Sequence, residues 1–270
     1  MYPKKLRLIT LNTWKGDGRY NQRLELMASG LKQLQPNIVC LQESLRTACG
    51  TMDTAGYLAH KLGLEAIFGH GRLKTRSVQG EQFASHSGLA ILSCCRPSSS
   101  RSYTLPVCDD DSDRTALTAL FNWGGLSLVT TTVHLTHLTG EDDLRRRQLD
   151  CVIDESQKFA SGPDPDHPMP VTLICGDMNY EINAEELERR GAENGVVILD
   201  GYLEGGGERP GYTFNMYGNF PCRIDYILYI QNEKDRALQI SNAKIVLSEK
   251  SSDGLLPSDH LGVMVDIALV

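Results

Sequence analysis

The chain has 270 residues, 41% hydrophobic and 23% charged, with a net charge of −7. That composition supplies a sizeable core, and the acidic balance argues against a nucleic-acid binder that works by bulk positive charge. No apolar run reaches the ~18 residues that a membrane-crossing helix needs.

The opening Met1-Tyr2-Pro3-Lys4-Lys5-Leu6 has neither a continuous apolar stretch nor a small-residue cleavage site. It reads as the approach to a first strand rather than a secretory signal. Residues 6–12 form that strand and end on Asn12. Leu24, Met27, Leu31 and Leu34 share a helical face, stopped at Gln35-Pro36. A strand over 37–43 contains Ile38-Val39-Cys40-Leu41, apolar without a break as in a strand covered on both faces, and ends on Glu43. Ala55, Leu58 and Leu62 mark a second helix after Asp53. Strands follow at 65–70, 88–93, 115–122 and 126–134, the last two joined by the hairpin signal Trp123-Gly124-Gly125.

A third helix starts near Thr139, where Asp142 completes a capping box, and carries Leu144, Cys151, Val152 and Phe159. The Pro-rich stretch 162–170 is a loop, 171–175 a strand, and Asn183 with Glu186 opens a short fourth helix. Residues 204–211 form another loop, and strands at 223–229, 243–247 and 262–268 complete the chain. No repeat or long linker divides it, so one domain over 1–270 is expected. Many strands with few helices give an α/β (α+β) fold, two sheets face to face with helices outside. The eight cysteines contain no Cys-x-x-Cys pair, and Cys40, Cys151 and Cys175 sit in apolar stretches. Reduced thiols in a cytoplasmic protein are expected.

Several of these strand ends carry oxygen-rich side chains. Mg²⁺ is usually held by one or two carboxylates, with waters and substrate phosphate completing its shell. Glu43 needs a partner if buried, because an isolated buried charge is costly, and Asn12 offers a neutral carbonyl oxygen. Both residues also suit turn capping. In Gly176-Asp177-Met178-Asn179 the glycine permits a tight turn and leaves Asp177 and Asn179 two apart, projecting the same way. That pair suits a water and a phosphate oxygen, or an ordinary Asx-turn.

His134 ends its strand. His137 falls outside the strand periodicity and is set aside as a surface residue, since His-x-x-His lacks further ligands for zinc. Asp225 lies between apolar residues, and the imidazole on offer is His260. An Asp–His pair fixes the tautomer and favours imidazolium, while the neighbouring Asp259 is free to join a metal shell. Arg72, Lys74, Arg76 and Arg145 to Arg147 are candidates for a local basic strip, and Arg114 and Glu81 are read as surface residues. Nucleophile-elbow, Walker, dinucleotide and zincin motifs are absent.

Taken in order, Leu11-Asn12-Thr13-Trp14, Leu41-Gln42-Glu43, His134, Gly176-Asp177-Met178-Asn179, Arg223-Ile224-Asp225-Tyr226 and Ser258-Asp259-His260 resemble the endonuclease/exonuclease/phosphatase superfamily. Its members include DNase I, apurinic endonucleases, neutral sphingomyelinases, inositol polyphosphate 5-phosphatases and tyrosyl-DNA phosphodiesterases. The resemblance spans residue 6 to the C-terminus. It implies a DNase I-like four-layer sandwich, two mixed and mostly antiparallel sheets with helices outside, and a site at one edge.

The resemblance also implies that Glu43 binds Mg²⁺ or Mn²⁺ with Asn12 and Asp259 nearby. Asp177 would align the attacking water and Asn179 hold a phosphate oxygen. His134, and His260 oriented by Asp225, would stabilise a pentacovalent transition state. The implied reaction is in-line attack of water on a phosphodiester or phosphomonoester.

Glu181 stands where the inositol phosphatases carry arginine, and Phe220-Pro221-Cys222-Arg223-Ile224-Asp225-Tyr226 replaces their Pro-Ala-Trp-Cys-Asp-Arg segment. Pro210-Gly211-Tyr212-Thr213-Phe214 and Arg147-Gln148 look more like the sphingomyelinase and tyrosyl-DNA phosphodiesterase branch. The substrate stays open between nucleic acid, lipid and small-molecule esters, with an inositol- or sugar-phosphate phosphatase as the alternative, and Arg114 and Glu81 stay candidates for the cleft wall with a plain surface role preferred for both. An inactive relative serving as a binding module is the rival of another class. Against it, every matched position is chemically competent.

Overall fold

The computed structural model describes residues 5–111, 113–160, 171–216, 218, 220–231 and 238–269. In chain order the first half contains β1 (Lys5–Asn12), α1 (Tyr20–Leu34), β2 (Ile38–Thr47), α2 (Thr54–Leu62), β3 (Glu65–Gly69), β4 (Leu73–Val78) and β5 (Glu81–Ser93). Next come β6 (Ser99–Thr104), β7 (Thr115–Trp123), β8 (Leu126–His134), α3 (Asp142–Ala160), β9 (Val171–Asp177), α4 (Ala184–Asn194) and β10 (Val197–Asp200). The chain finishes with α5 (Gly201–Glu204), β11 (Phe214–Met216), β12 (Phe220–Cys222), β13 (Asp225–Gln231), β14 (Leu238–Val246) and β15 (Gly262–Leu269).

Two large sheets result. One runs β14-β15-β1-β2-β5-β3 with β4 paired to β5, and the other runs β10-β13-β9-β8-β7-β6. Each is mixed around one parallel pair, β1 with β2 and β8 with β9, flanked by antiparallel neighbours. This is the α/β, DNase I-like arrangement that the sequence led us to expect.

Strand parity explains the layers. Leu6, Leu8, Ile38 and Cys40 meet Leu173, Cys175, Ile227 and Tyr229 in the core between the sheets. The alternate residues Ile9, Leu11, Val39 and Leu41 pack under α1 and α2. In the second sheet Ile174, Tyr226, Leu228 and Ile230 face outward into a cluster shared with α3 and α4. Because both faces of the central strands are covered, their sequences read as unbroken apolar runs.

Several boundaries differ from the sequence reading. β2 runs on to Thr47, β5 begins at Glu81 and β14 at Leu238, each longer than expected. β4, β6, β10 and the three-residue β11 and β12 were not anticipated. The first two are polar and half exposed, and β10 has only four residues, so none shows an apolar alternation. α3 starts at Asp142 rather than near Thr139, and Glu204 closes α5 instead of opening a loop. The helix signals at Asp53 and Asn183 hold, since their side chains accept from the backbone N–H of Gly56 and Glu186. The loop expected at 162–170 lies outside the described residues. No described helix is long and apolar enough to cross a membrane, and all eight cysteines are free thiols.

Asp266 pins the outer end of the first sheet. Although only 1% exposed, it accepts from Arg7 at 2.7 and 3.0 Å and from Asn242 at 2.7 Å, with the Lys5 ammonium at 2.9 Å. Burial alone would raise its carboxyl, but the bonds from Arg7, Asn242 and Lys5 outweigh that and hold it well below the usual carboxylate range. A carboxyl depressed on folding adds stability above its unfolded pKa near ~4, lost as pH falls toward the folded value. Asp266→Asn should therefore lower the unfolding free energy by about 2 kcal/mol at neutral pH. The gap from wild type should shrink below pH ~4, as urea melts across that range will read.

Candidate active site

At one end of the inter-sheet core the inward positions turn polar. Gln42 Nε2 donates to Thr132 Oγ1 at 2.8 Å and to Thr10 Oγ1 at 3.1 Å, which ties the two sheets together. Two residues further along the same strand faces stand Asn12 and His134, with Asp177 facing them from the end of β9. Asn12 Nδ2 donates to Asp177 Oδ2 at 3.0 Å, and the backbone N–H of Asn179 donates to Asp177 Oδ1 at 2.9 Å. The second contact is an Asx-turn, so Asp177 both shapes the loop and faces the pocket.

Asp225 opens β13 directly opposite Asp177 in the ladder. Its Oδ2 lies 2.8 Å from His260 Nδ1, and His260 Nε2 is 3.7 Å from Asp177 Oδ2. His134 Nε2 approaches Asp177 at 3.5 Å, and its Nδ1 approaches Glu43 Oε1 at 3.8 Å. Seven of the eight anticipated residues line one cleft of about 340 Å³, and Asp225 lies beneath it behind His260. A larger cavity of about 1060 Å³ between α4 and β10 contains none of them.

Two local mechanisms differ from the sequence reading. Gly176 sits inside β9 rather than in a turn, with φ +145°. A Cβ there would lie 2.0 Å from the Val133 carbonyl oxygen, so the glycine allows the close parallel approach of β8 that sets Asp177 beside His134. Glu43 stands inside β2, where a bulge lets Gln42 and Glu43 oppose the single residue Leu89. Parity with Val39 and Leu41 would send Glu43 under the helices. Bulge and a φ of +53° bring it into the cleft.

Four of the eight described non-glycine residues with positive φ, Trp14, Lys15, Glu43 and Asn179, belong to this site. Such strain persists only where the surroundings over-determine it. Arg23 supplies part of that constraint, and sequence reasoning missed it. Fully buried on α1, it donates to the carbonyls of Thr13, Trp14, Lys15, Asp17 and Pro257 at 2.8–3.2 Å and stacks over the Trp14 ring. An arginine on an otherwise apolar helix face was the available signal.

The electrostatics sort the ionisable groups. Burial raises the Asp177 carboxyl, opposed chiefly by His260 and by its hydrogen bonds. Burial alone would lower His260, but Asp225 and Asp177 outweigh it and push the imidazole up to about 10. His134 is driven the other way, well below its usual value, by burial and by Arg114 and Lys15. His134 is thus neutral at neutral pH, and its approaches to Glu43 and Asp177 are not ion pairs.

Burial and then Glu43 raise the Asp259 carboxyl, against the pull of His260, so these two acids form a like-charged pair. The Lys15 ammonium lies 3.0 Å from Glu43 Oε1. Two carboxylates with the Asn12 amide oxygen make an all-oxygen donor set that fits a hard cation. Asp177, Asp225 and His260 also place ligand atoms within 4.8 Å of one another. There, however, Asp225 and His260 are spent on each other, which leaves a hydrogen-bonded relay rather than a cage.

The rim needs three corrections. Arg114, read as a surface residue, is 14% exposed and lines the cleft, and so does His137, which had been set aside. The anticipated strip divides: Arg72, Lys74 and Arg76 line the cleft, but Arg145 is buried against the Thr136 and Leu138 carbonyls, Arg146 pairs with Asp143, and Arg147 is exposed elsewhere. Glu81 does not line the cleft. Phe214, unassigned from sequence, stacks on His260 with ring centroids 4.5 Å apart.

Gly176→Ala should cost about 3 kcal/mol or more in urea unfolding, because backbone and not a mobile side chain meets the new methyl group. Asp225→Asn removes the main partner that raises His260, so an NMR titration should show that imidazole titrating well below its wild-type value.

The model of the Endonuclease/Exonuclease/phosphatase family matches residues 9–260. Tyrosyl-DNA phosphodiesterase 2 of Xenopus tropicalis is 26% identical over 165 residues, 58% of this chain and 42% of that protein. The chain thus spans less than half the length of that curated relative. D. rerio TDP2 complexed with a single-strand DNA product superposes with a TM-score of 0.71 at 21% identity, covering 98% of this chain and 99% of that one. The human Nocturnin catalytic domain with a bound sulfate anion gives 0.71 at 21% identity, over 99% and 95% of the two chains. At these identities the structural likeness is one of fold. With the family model matched along almost its whole length, this chain belongs to the Endonuclease/Exonuclease/phosphatase family.

Proposed function

We propose that this protein is a divalent-metal-dependent phosphodiesterase that hydrolyses nucleic-acid strands by in-line attack of water on phosphorus. The observation that carries the reading is Asp177, buried yet fixed through both oxygens, beside the Glu43–Asp259 pair. A Mg²⁺ or Mn²⁺ ion held by Glu43 and Asp259, with Asn12, would supply Lewis-acid stabilisation of the phosphoryl oxygens.

The side chains divide the remaining work. Asp177, its carboxyl raised by burial, orients a water and accepts its proton. Asn12 and the Asn179 backbone hold that carboxylate in one orientation. Asn179 Nδ2 spends one hydrogen on the Leu135 carbonyl at 3.0 Å and keeps the other for a phosphate oxygen. His260, kept as imidazolium by Asp225, offsets the negative charge that grows at phosphorus, and neutral His134 donates a hydrogen bond.

The nucleic-acid reading draws support from Arg72, Lys74 and Arg76, alternate residues spaced about 7 Å apart along an extended segment, and from the aromatic face of Phe214. The likeness to Tyrosyl-DNA phosphodiesterase 2 points the same way. Because both sheets supply site residues, we take 1–270 as one functional domain, and the eight free thiols support a cytoplasmic setting.

A panel of single-stranded DNA, sphingomyelin, inositol phosphates and nucleotide monoesters, each with Mg²⁺ or chelator, tests the proposal. DNA should be the preferred substrate, with affinity falling steeply as salt rises. Glu43→Ala should lose at least about 100-fold in turnover. Activity indifferent to chelator and to Glu43→Ala would end the metal reading, and preference for a lipid or sugar phosphate the nucleic-acid one.

A further inference from the structure

Arg114 spends its guanidinium on the protein. Its Nε donates to Asp111 Oδ2 at 2.7 Å, its Nη1 to the His134 carbonyl at 3.3 Å, and its Nη2 meets His137 Nδ1 at 2.5 Å. A guanidinium has no acceptor atom and keeps its protons. His137 Nδ1 must therefore accept, which leaves the ring neutral with its hydrogen on Nε2. The ring is exposed at the cleft, while Arg114 behind it is largely covered.

We propose that His137 is a specificity-determining residue whose Nε2–H, fixed by Arg114, donates a hydrogen bond to an oxygen of a phosphodiester substrate. This rests on the phosphoesterase reading of the same cleft. Burial first, and then the charges of Arg114, Lys15 and Lys74, disfavour protonation of the ring, with Asp111 opposing them. A neutral donor satisfies the singly charged or uncharged oxygens of a diester. It gives no coulombic premium to the dianion of a monoester, as a lysine or arginine in that place would. The Asp111–Arg114 pair is on this view a brace, and Arg114 a positioning residue that turns a potential cation site into a tautomer lock.

The test has two readouts. ¹⁵N NMR of the intact chain at pH 7 should show His137 Nδ1 without and Nε2 with a proton, and titration with dimethyl phosphate should shift the Nε2 signal. This needs no turnover, so it stands even if no ester in the panel is hydrolysed. Kinetically, His137→Ala should lose about ten-fold in kcat/KM on a diester. His137→Gln, which keeps a donor there, should recover most of that loss, and His137→Lys should shift preference toward a monoester. A doubly protonated ring at pH 7, or a hydrogen on Nδ1, would overturn the proposal. So would an Nε2 signal indifferent to dimethyl phosphate, or a His137→Ala enzyme equal to wild type.

Discussion

The site depends on keeping one carboxylate charged where water has been excluded. Burying Asp177 favours its neutral form. Two donors from separate segments and an imidazolium answer that cost, and each needs a backbone feature to reach its place. Asn12 requires β1 to end level with β9, Asn179 a left-handed turn, and His260 a carboxylate partner buried below it. The other residues of the cleft are arranged around this solution.

The two sheets contribute in parallel ways. Each centres on a pair of parallel strands, and the ends or bulges of those strands carry Asn12 and Glu43 in one sheet and His134 and Asp177 in the other. Beside each pair an antiparallel strand begins at the same end, introduced by Asp259-His260 in the first case and by Asp225 in the second. Oxygen donors gather on the first sheet, and His134 and Asp177 face them from the second, with His260 reaching across. Segments far apart in the chain meet because strand topology brings these ends to one edge of the sandwich.

The sequence showed chemistry more readily than geometry. All eight anticipated residues converge, because oxygen and imidazole groups at the ends of apolar runs are conspicuous and strand ends hold side chains rigidly. The bulge at Glu43 and the close approach at Gly176 were invisible, since both depend on a neighbouring strand far away in the chain. Polar edge strands escaped because one exposed face erases the alternation that marks a strand. His137 was set aside on strand periodicity, which says nothing about a residue placed by a loop. Arg114 looked like any surface arginine until its three partners were seen, and Arg145 was mistaken for a rim cation because sequence does not reveal which guanidinium its own backbone will claim.

The Gln42–Thr132 bond has a consequence for how the molecule fails. The layer between the sheets is largely apolar, and apolar contact is non-directional, so it resists separation far better than sliding. Polar links such as this one fix the lateral alignment of the two halves right beside the cleft. A small slip would part Asp177 from Glu43 and Asp259, while each half kept its own packing. The geometry of the cleft is thus a vernier of sheet alignment, sensitive to displacements that spectroscopic measures of folding would pass over.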